Sequence, residues 1–202
     1  MQYEVHVIET EARPTAVIRH TVLRSEVRQN LLAPSIDEVL SVIAAQGLQT
    51  AGPIFSRHLT IDPYFFDFEI GVPVAPGLRP SGRVVASVLP AGRVARCLHH
   101  GPYEGLGPAW TRLRDEIART GLSPAQELWE SYLSGPADGP AESWFTELNQ
   151  PLLATARRPG GARPDAIFPE VMPALAIGLM PRTARAPRAV TPPLRATSPE
   201  RA

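Results

Sequence analysis

The fold is decided by the stretch from Arg96 to Leu152, which reads RCLHHGPYEGLGPAWTRLRDEIARTGLSPAQELWESYLSGPADGPAESWFTELNQPL. It predicts a strand end, a loop at residues 99–103, an amphipathic helix, a strand that carries Glu130, and a closing strand. Gly121 is expected to end the helix, whose apolar stripe consists of Leu106, Trp110, Leu113 and Ile117. One such segment would leave a sheet face bare, so we expect it to pack against a second segment.

Residues 15–74 form an earlier copy of this segment, with matching residues in the same order. His20 matches His99 at an offset of 79, Gly47-Leu48 matches Gly121-Leu122 at 74, and Glu69 and Pro73 match Glu147 and Pro151 at 78. The predicted fold class is therefore α+β, with two β-α-β-β repeats related by pseudo-two-fold symmetry. We expect one antiparallel sheet with the helices on one side. A ligand cleft is expected between the halves, on the side away from the helices.

Local patterns in the first half and at the junction predict further elements. Ser35 and Glu38 fit a capping box, which predicts that the first helix begins at Ser35, and Gly47 is expected to end it. Residues 83–89 and 94–98 flank a Pro-Ala-Gly turn and predict an antiparallel hairpin.

The chain divides into a folded domain and a tail. Residues 1–153 are predicted to form the domain, with halves at 1–76 and 82–153. Residues 154–202 include nine prolines among 49 residues and follow neither a helical nor a strand period. Such a segment buries little apolar surface, so we expect this tail to be disordered.

Charge and composition argue against several classes of partner. Residues 1–153 carry 12 Arg and no Lys against 17 Asp and Glu, which argues against direct nucleic-acid binding and favours cationic ligands. Cys97 is the single cysteine and no zinc-ligand spacing is present, so we expect neither a metal nor a cofactor. The N-terminus lacks a signal-peptide pattern, and the longest late apolar run is too short to cross a bilayer. We therefore expect a cytoplasmic protein without a membrane partner.

Glu130 is the most informative candidate for a ligand-binding residue. At the offset of 74, Glu130 and Tyr132 correspond to Ser56 and His58, so the carboxylate is present in one half only. A residue that builds the scaffold should be present in both halves. Glu130 is also flanked by aromatic residues, which would partly desolvate it and allow an organic cation to bind by charge pairing and cation–π contact.

Five further residues complete the predicted ligand-binding set. Glu147 would add a second carboxylate, although Glu69 at the equivalent position also allows a structural role. Tyr103 lies in the HGPY loop and could stack on a flat ligand or pin the loop. Tyr64 and Phe65 are at the corresponding edge of the first half, and Trp110 is on the helix stripe, where a core role competes with ligand binding.

The motifs HHGPYEGL, WESYL and WFTELNQPL resemble the GyrI-like small-molecule-binding domain, which is also the effector-binding domain of MerR- and AraC-type multidrug regulators. The resemblance covers residues 1–153. It implies a hydrophobic cleft between two related halves, where an acidic residue at the E-x-Y position pairs with cationic amphipathic ligands. That position is Glu130 here. The chain begins directly with the first strand, so it resembles the stand-alone form of the family.

Three functions are open at this point. The leading one is the binding of a hydrophobic small molecule, cationic or planar aromatic, for drug sensing or sequestration. The second is implied by the resemblance, since some members hydrolyse cyclopropane-bearing DNA alkylators: in such a hydrolase Glu130 would be the general base and Tyr132 or Tyr103 would donate to an oxygen that gains charge. The third is also implied by the resemblance and is a protein that protects DNA gyrase, with gyrase or a regulator as its partner. A non-enzymatic role is favoured, but the same residues serve binding and turnover.

Overall fold

The computed structural model describes residues 4–23, 31–61 and 64–153, so the tail predicted at 154–202 lies outside the described residues. The described residues form eight strands and two α-helices. In chain order they are β1 (Val5–Thr10), β2 (Arg13–Leu23), α1 (Leu32–Ala45), β3 (Ile54–Ile61), β4 (Phe65–Pro73), β5 (Val85–Leu89), β6 (Gly92–His100), α2 (Leu106–Arg119), β7 (Leu128–Tyr132) and β8 (Phe145–Pro151).

The eight strands form one antiparallel sheet in the order β1-β6-β8-β7-β3-β4-β2-β5. The repeats are β2-α1-β3-β4 and β6-α2-β7-β8, and they meet where β3 pairs with β7. The α+β class and the two-repeat architecture predicted from the sequence are confirmed.

The pairing of residues between strands agrees with the offsets found in the sequence repeat. At the centre of the sheet Ser56 pairs with Glu130, which are themselves equivalent residues, so the pseudo-two-fold axis passes between them. In the outer pairs, Ser56 with Ile70 corresponds to Glu130 with Leu148. Both helices also have the same length and differ in position by 74 residues. The two halves therefore share the same backbone arrangement, and they differ in the side chains at equivalent positions.

The strand that precedes each repeat pairs with the other repeat. β5 pairs with β2 of the first half, and β1 pairs with β6 of the second half. The hairpin predicted between residues 83–89 and 94–98 is therefore wrong. The chain does change direction there, but β5 and β6 separate and join opposite ends of the sheet, where β5 pairs with the longer strand β2 and β6 pairs with β1 and β8.

Both helices pack on one face of the sheet and enclose the main hydrophobic core. The stripe Leu106, Trp110, Leu113 and Ile117 is buried as predicted. The predicted capping box is wrong, because α1 begins at Leu32 and Ser35 is buried inside the helix. The Ser35 hydroxyl bonds to His20 Nε2 at 2.9 Å, and Glu38 pairs with Arg83 instead.

The opposite face curls around a second, smaller core formed by Val17, Phe55, Leu89, Val94 and Trp129. Arg57 on β3 donates to the backbone carbonyl of Val88 on β5 at 2.8 Å, although β4 and β2 lie between those strands in the sheet. Arg57 also pairs with Glu127 and lies 3.5 Å from Glu69. This face is filled by side chains of the sheet itself.

Candidate ligand-binding site

Glu130 lies at the centre of the sheet, on the face that carries the helices. Its β8 partner Leu148 belongs to the main core, and every residue of β7 is buried. Glu130 exposes 4% of its surface. The ligand groove predicted on the face away from the helices does not contain Glu130, because Trp110 of α2 contacts this residue directly.

Two neutral donors hold the carboxylate of Glu130. The indole N–H of Trp110 on α2 donates to Oε1 at 2.7 Å, and the phenol O–H of Tyr132 donates to Oε2 at 2.9 Å. Burial raises the pKa of Glu130, and these two hydrogen bonds oppose the rise. Among the described residues no Arg or His lies within ion-pair distance of this carboxylate. A buried carboxyl group without a cationic partner is costly to ionise, and the ionised form of Glu130 would have no counter-charge here.

Tyr103 extends this cluster from the loop between β6 and α2. It lies at the start of a short 3-10 turn, and its ring packs edge-on against Tyr132 with centroids 5.6 Å apart. Its ring also lies 4.8 Å from that of Trp144. Burial raises the pKa of the Tyr103 phenol well above its usual value, and the nearby Glu130 carboxylate adds to this rise. The rings of Trp110, Tyr132 and Tyr103 therefore surround the carboxyl group of Glu130.

Hydroxyl groups without hydrogen-bond partners accumulate around this carboxylate. In the described part of the chain, the side-chain oxygens of Tyr103 and Thr146 lack a partner and lie on the helix face near Glu130. Thr146 pairs with Tyr132 in the sheet, and Ser56, which pairs with Glu130 across the centre, has its hydroxyl beside the phenol of Tyr132. Buried polar groups are nearly always satisfied in native proteins, so these hydroxyl groups are an unusual feature of this part of the core.

The equivalent positions of the first half are mostly apolar. Trp110 and Arg114 correspond to Ile36 and Leu40 at the offset of 74, and Thr146 corresponds to Phe68 at 78. Ile36 and Phe68 are core residues. At three of these positions an apolar residue of the first half corresponds to a residue with a polar group in the second, and at the fourth Ser56 corresponds to the carboxyl group of Glu130. The first half forms the same backbone fold without these polar groups.

Arg114 was not among the residues predicted from the sequence. Its guanidinium lies 5.9 Å from the centroid of the Trp110 ring, the same indole that donates to Glu130. Partial burial lowers the pKa of Arg114. A signal for this residue is present in the sequence, because the offset of 74 places Arg114 opposite Leu40.

The remaining predicted residues lie apart from Glu130. Glu147 is on the face away from the helices, where it lies 3.4 Å from Arg96. Tyr64 and Phe65 are in the first half at the start of β4, and they are 71% and 45% exposed. The structure therefore brings together Glu130, Tyr132, Trp110 and Tyr103, and does not bring Glu147, Tyr64 or Phe65 to them.

Within residues 4–23, 31–61 and 64–153, no group of three or more His, Cys, Asp or Glu side chains has a geometry that could hold a metal ion. Neither α1 nor α2 is long and apolar enough to cross a membrane.

Solved structures with the same fold include a protein in complex with DNA and a protein with a bound small molecule. The C-terminal domain of EcmrR aligns with 22% identity and a TM-score of 0.65, over 76% of this chain and 99% of that one. EcmrR in its complex with DNA gives 22% identity and a TM-score of 0.63 over 74% of this chain, which spans 57% of the EcmrR chain. SAV2435 bound to tetraphenylphosphonium aligns with 13% identity and a TM-score of 0.50, over 76% and 94% of the two chains. At these identities the likeness shows the fold.

The family assignment comes from the sequence profile. No curated protein sequence matches the chain. The profile of the GyrI-like small molecule binding domain matches residues 3–152, which includes both repeats and the whole cluster around Glu130. The resemblance seen in the sequence motifs is thereby confirmed, and the chain belongs to the family of GyrI-like small-molecule-binding domains.

Proposed function

We propose that this domain binds an organic cation with aromatic groups, and that Glu130 is the residue that selects the charge. The observation that carries the proposal is a buried carboxylate held only by the neutral donors Trp110 and Tyr132. A bound cation would supply the missing counter-charge. The rings of Trp110, Tyr132 and Tyr103 would add apolar contact and cation–π attraction, which strengthens when water is excluded.

The ligand must displace side chains to reach Glu130. Trp110 and Tyr132 each expose only 6% of their surface, and Tyr103 exposes 4%. Because the indole of Trp110 covers one carboxylate oxygen, we propose that it moves when the ligand enters and that the cation takes over its role. The solved structure of SAV2435 contains tetraphenylphosphonium, a cation with four aromatic rings, which makes this compound a suitable first probe.

The biological role that fits this site is drug sensing or sequestration in the cytoplasm. EcmrR, whose C-terminal domain has the same fold, has been solved in a complex with DNA. We propose that the present domain acts on a small molecule in a comparable way, either with a regulator as partner or by holding the compound out of solution.

The first test is isothermal titration with tetraphenylphosphonium. We expect Glu130→Gln to weaken binding by at least about tenfold, which corresponds to the loss of about 1.4 kcal/mol. Glu147→Gln is the matched control, since it removes a carboxylate from the opposite face of the same sheet, and it should leave the affinity unchanged. Tetraphenylborate has the same shape with a negative charge and should bind the wild type poorly. Equal affinity of wild type and Glu130→Gln for the cation would refute the charge-selecting role.

The same titration repeated across pH tests the protonation state. Because burial raises the pKa of Glu130, the carboxyl is neutral below that pKa and ionised above it. We therefore expect the affinity of the wild type for the cation to fall as the pH is lowered through the raised pKa, and a proton to be released on binding in that range. Glu130→Gln should show a flat profile. A flat profile in the wild type would contradict the coupling.

A further inference from the structure

We propose that Arg114 recognises an anionic group, so that the preferred ligand of this site is amphoteric: an aromatic compound that carries both a basic and an acidic group. This inference rests on the proposed function, because it concerns a second contact in the same site. It names the ligand class more narrowly than cation binding does.

The position of Arg114 places a positive charge beside the carboxylate cluster. Its guanidinium lies 5.9 Å from the ring centroid of Trp110, and the N–H of that ring is 2.7 Å from Glu130 Oε1. One indole therefore has an uncompensated negative group at its edge and a positive group over its ring. A flat ligand that replaces or stacks on the indole would meet both charges.

Within the described residues, Arg114 has no anionic partner. Its one described interaction is the contact with Trp110, and no carboxylate lies within ion-pair distance. The residues three and four positions away on α2 are Trp110, Thr111, Ile117 and Ala118, so the helix itself offers no acid at the spacing that forms ion pairs. By contrast Arg57, Arg83, Arg96 and Arg119 all pair with carboxylates.

The scaffold does not require an arginine at this position. The equivalent residue of the first half is Leu40, which is half-buried and packs against the main core. Partial burial of the guanidinium is unfavourable, as the lowered pKa of Arg114 indicates. A planar guanidinium with free N–H groups is well suited to bind a carboxylate through two parallel hydrogen bonds. Such a bond would compensate for the partial desolvation.

A matched pair of compounds separates the two charges. Norfloxacin is a flat aromatic with an ammonium group and a carboxylate, and its ethyl ester keeps the ammonium group and loses the negative charge. The variants are Arg114→Leu, Arg114→Lys and Glu130→Gln. Arg114→Leu introduces the residue type found at the equivalent position of the first half, so we expect the fold to accept it. Affinities would be measured by titration calorimetry, with a thermal unfolding curve for each variant.

We expect Arg114→Leu to lower the affinity for norfloxacin on the order of tenfold, which is the scale of a single lost charge-assisted contact. The same variant should bind the ester as well as the wild type does or more tightly, because a positive charge has been removed. Arg114→Lys should retain part of the norfloxacin affinity. If the contact of Arg114 with Trp110 were only structural, Arg114→Leu would instead change the affinities for both compounds in the same direction.

The outcomes distinguish this inference from the proposed function. If Arg114→Leu changes the affinities for norfloxacin and its ester equally, or changes neither affinity, the amphoteric ligand class is overturned. Binding of the ester that depends on Glu130 would still support cation selection in that case. If Arg114→Leu weakens norfloxacin but Glu130→Gln affects neither compound, Arg114 recognises anions and the cation-binding function falls. If the wild type binds neither compound, the amphoteric proposal is overturned, and the tetraphenylphosphonium titration decides the other.

Discussion

At the scale of single residues, Glu130 and its two donors form the most tightly defined group in the molecule. The carboxylate lies under α2, and its two oxygens accept one bond each from Trp110 and Tyr132. The adjacent phenol of Tyr103 is equally buried but has no hydrogen-bond partner. Two tyrosines in ring contact thus have opposite hydrogen-bonding states, and this contrast can be measured.

Tyr132→Phe should destabilise the protein by about 1–3 kcal/mol, because it leaves an oxygen of the buried carboxylate without its donor. Tyr103→Phe removes a buried hydroxyl that makes no bond and should leave the free energy of unfolding unchanged or raise it by up to about 1 kcal/mol. Urea unfolding at neutral pH measures both. If Tyr103→Phe cost as much as Tyr132→Phe, the phenol of Tyr103 would have a partner after all.

Sequence comparison identified the residues of this cluster unevenly, for physical reasons. Glu130 stood out because the repeat offers Ser56 as a reference for what the scaffold needs. Trp110 was ambiguous, because it packs in the core with its ring and bonds to the carboxylate with its N–H, and an apolar stripe reports only the first role. Arg114 was missed, since a single arginine on a helix looks like any solvated charge until its neighbours are known.

At the scale of elements, the pattern of buried residues predicted the helices and strands well and their ends and partners less well. Ser35 and Glu38 match a capping box in sequence, yet Ser35 is buried and bonds to His20 on β2. A side chain that looks like a local cap is here used for a long-range contact. The pairing of β5 failed for a related reason, because a turn motif predicts a change of direction and does not specify the partner strand.

A close approach of β2 and β4 gives a prediction at this scale. A Cβ atom on Gly71 would lie 2.9 Å from Val17 Cα and would also meet the backbone of Ala16. Gly71→Ala should therefore destabilise the protein by about 1–3 kcal/mol or more, since backbone cannot move aside cheaply. Gly107→Ala is the control, because Gly107 lies in α2 with open space around it, and alanine should be neutral or stabilising by up to about 1 kcal/mol. Thermal unfolding of both variants would show a clear difference in sign or size.

At the scale of the whole molecule, the exchange of leading strands joins the two halves more firmly than the β3–β7 contact alone. β1 belongs to the first half in sequence and to the second in the sheet, and β5 does the reverse. The repeat was visible in the sequence because it conserves spacing. The exchange was not visible, because β1 and β5 would show the same alternation of apolar and polar residues whichever edge of the sheet they joined.

Separated halves should therefore assemble. We expect fragments 1–76 and 82–153, co-expressed from one plasmid with a tag on one of them, to co-purify as a one-to-one complex with the circular dichroism of the intact domain. Each fragment alone lacks the strand that covers its outer edge and should be insoluble or unfolded. A fragment that runs as a folded monomer by itself would show that the exchanged strands contribute little.

The exchange of β1 also has a consequence for biosynthesis. β1 leaves the ribosome before the other seven described strands, but its residue Val5 pairs with Cys97, which is translated much later. At the usual elongation rates of roughly 5–20 residues per second, β1 waits about 5–20 s with both edges unpaired. The pairing of β1 therefore has to wait until β6 has been synthesised. Among the described strands, β1 is the one on which a ribosome-associated chaperone would have the longest time to act.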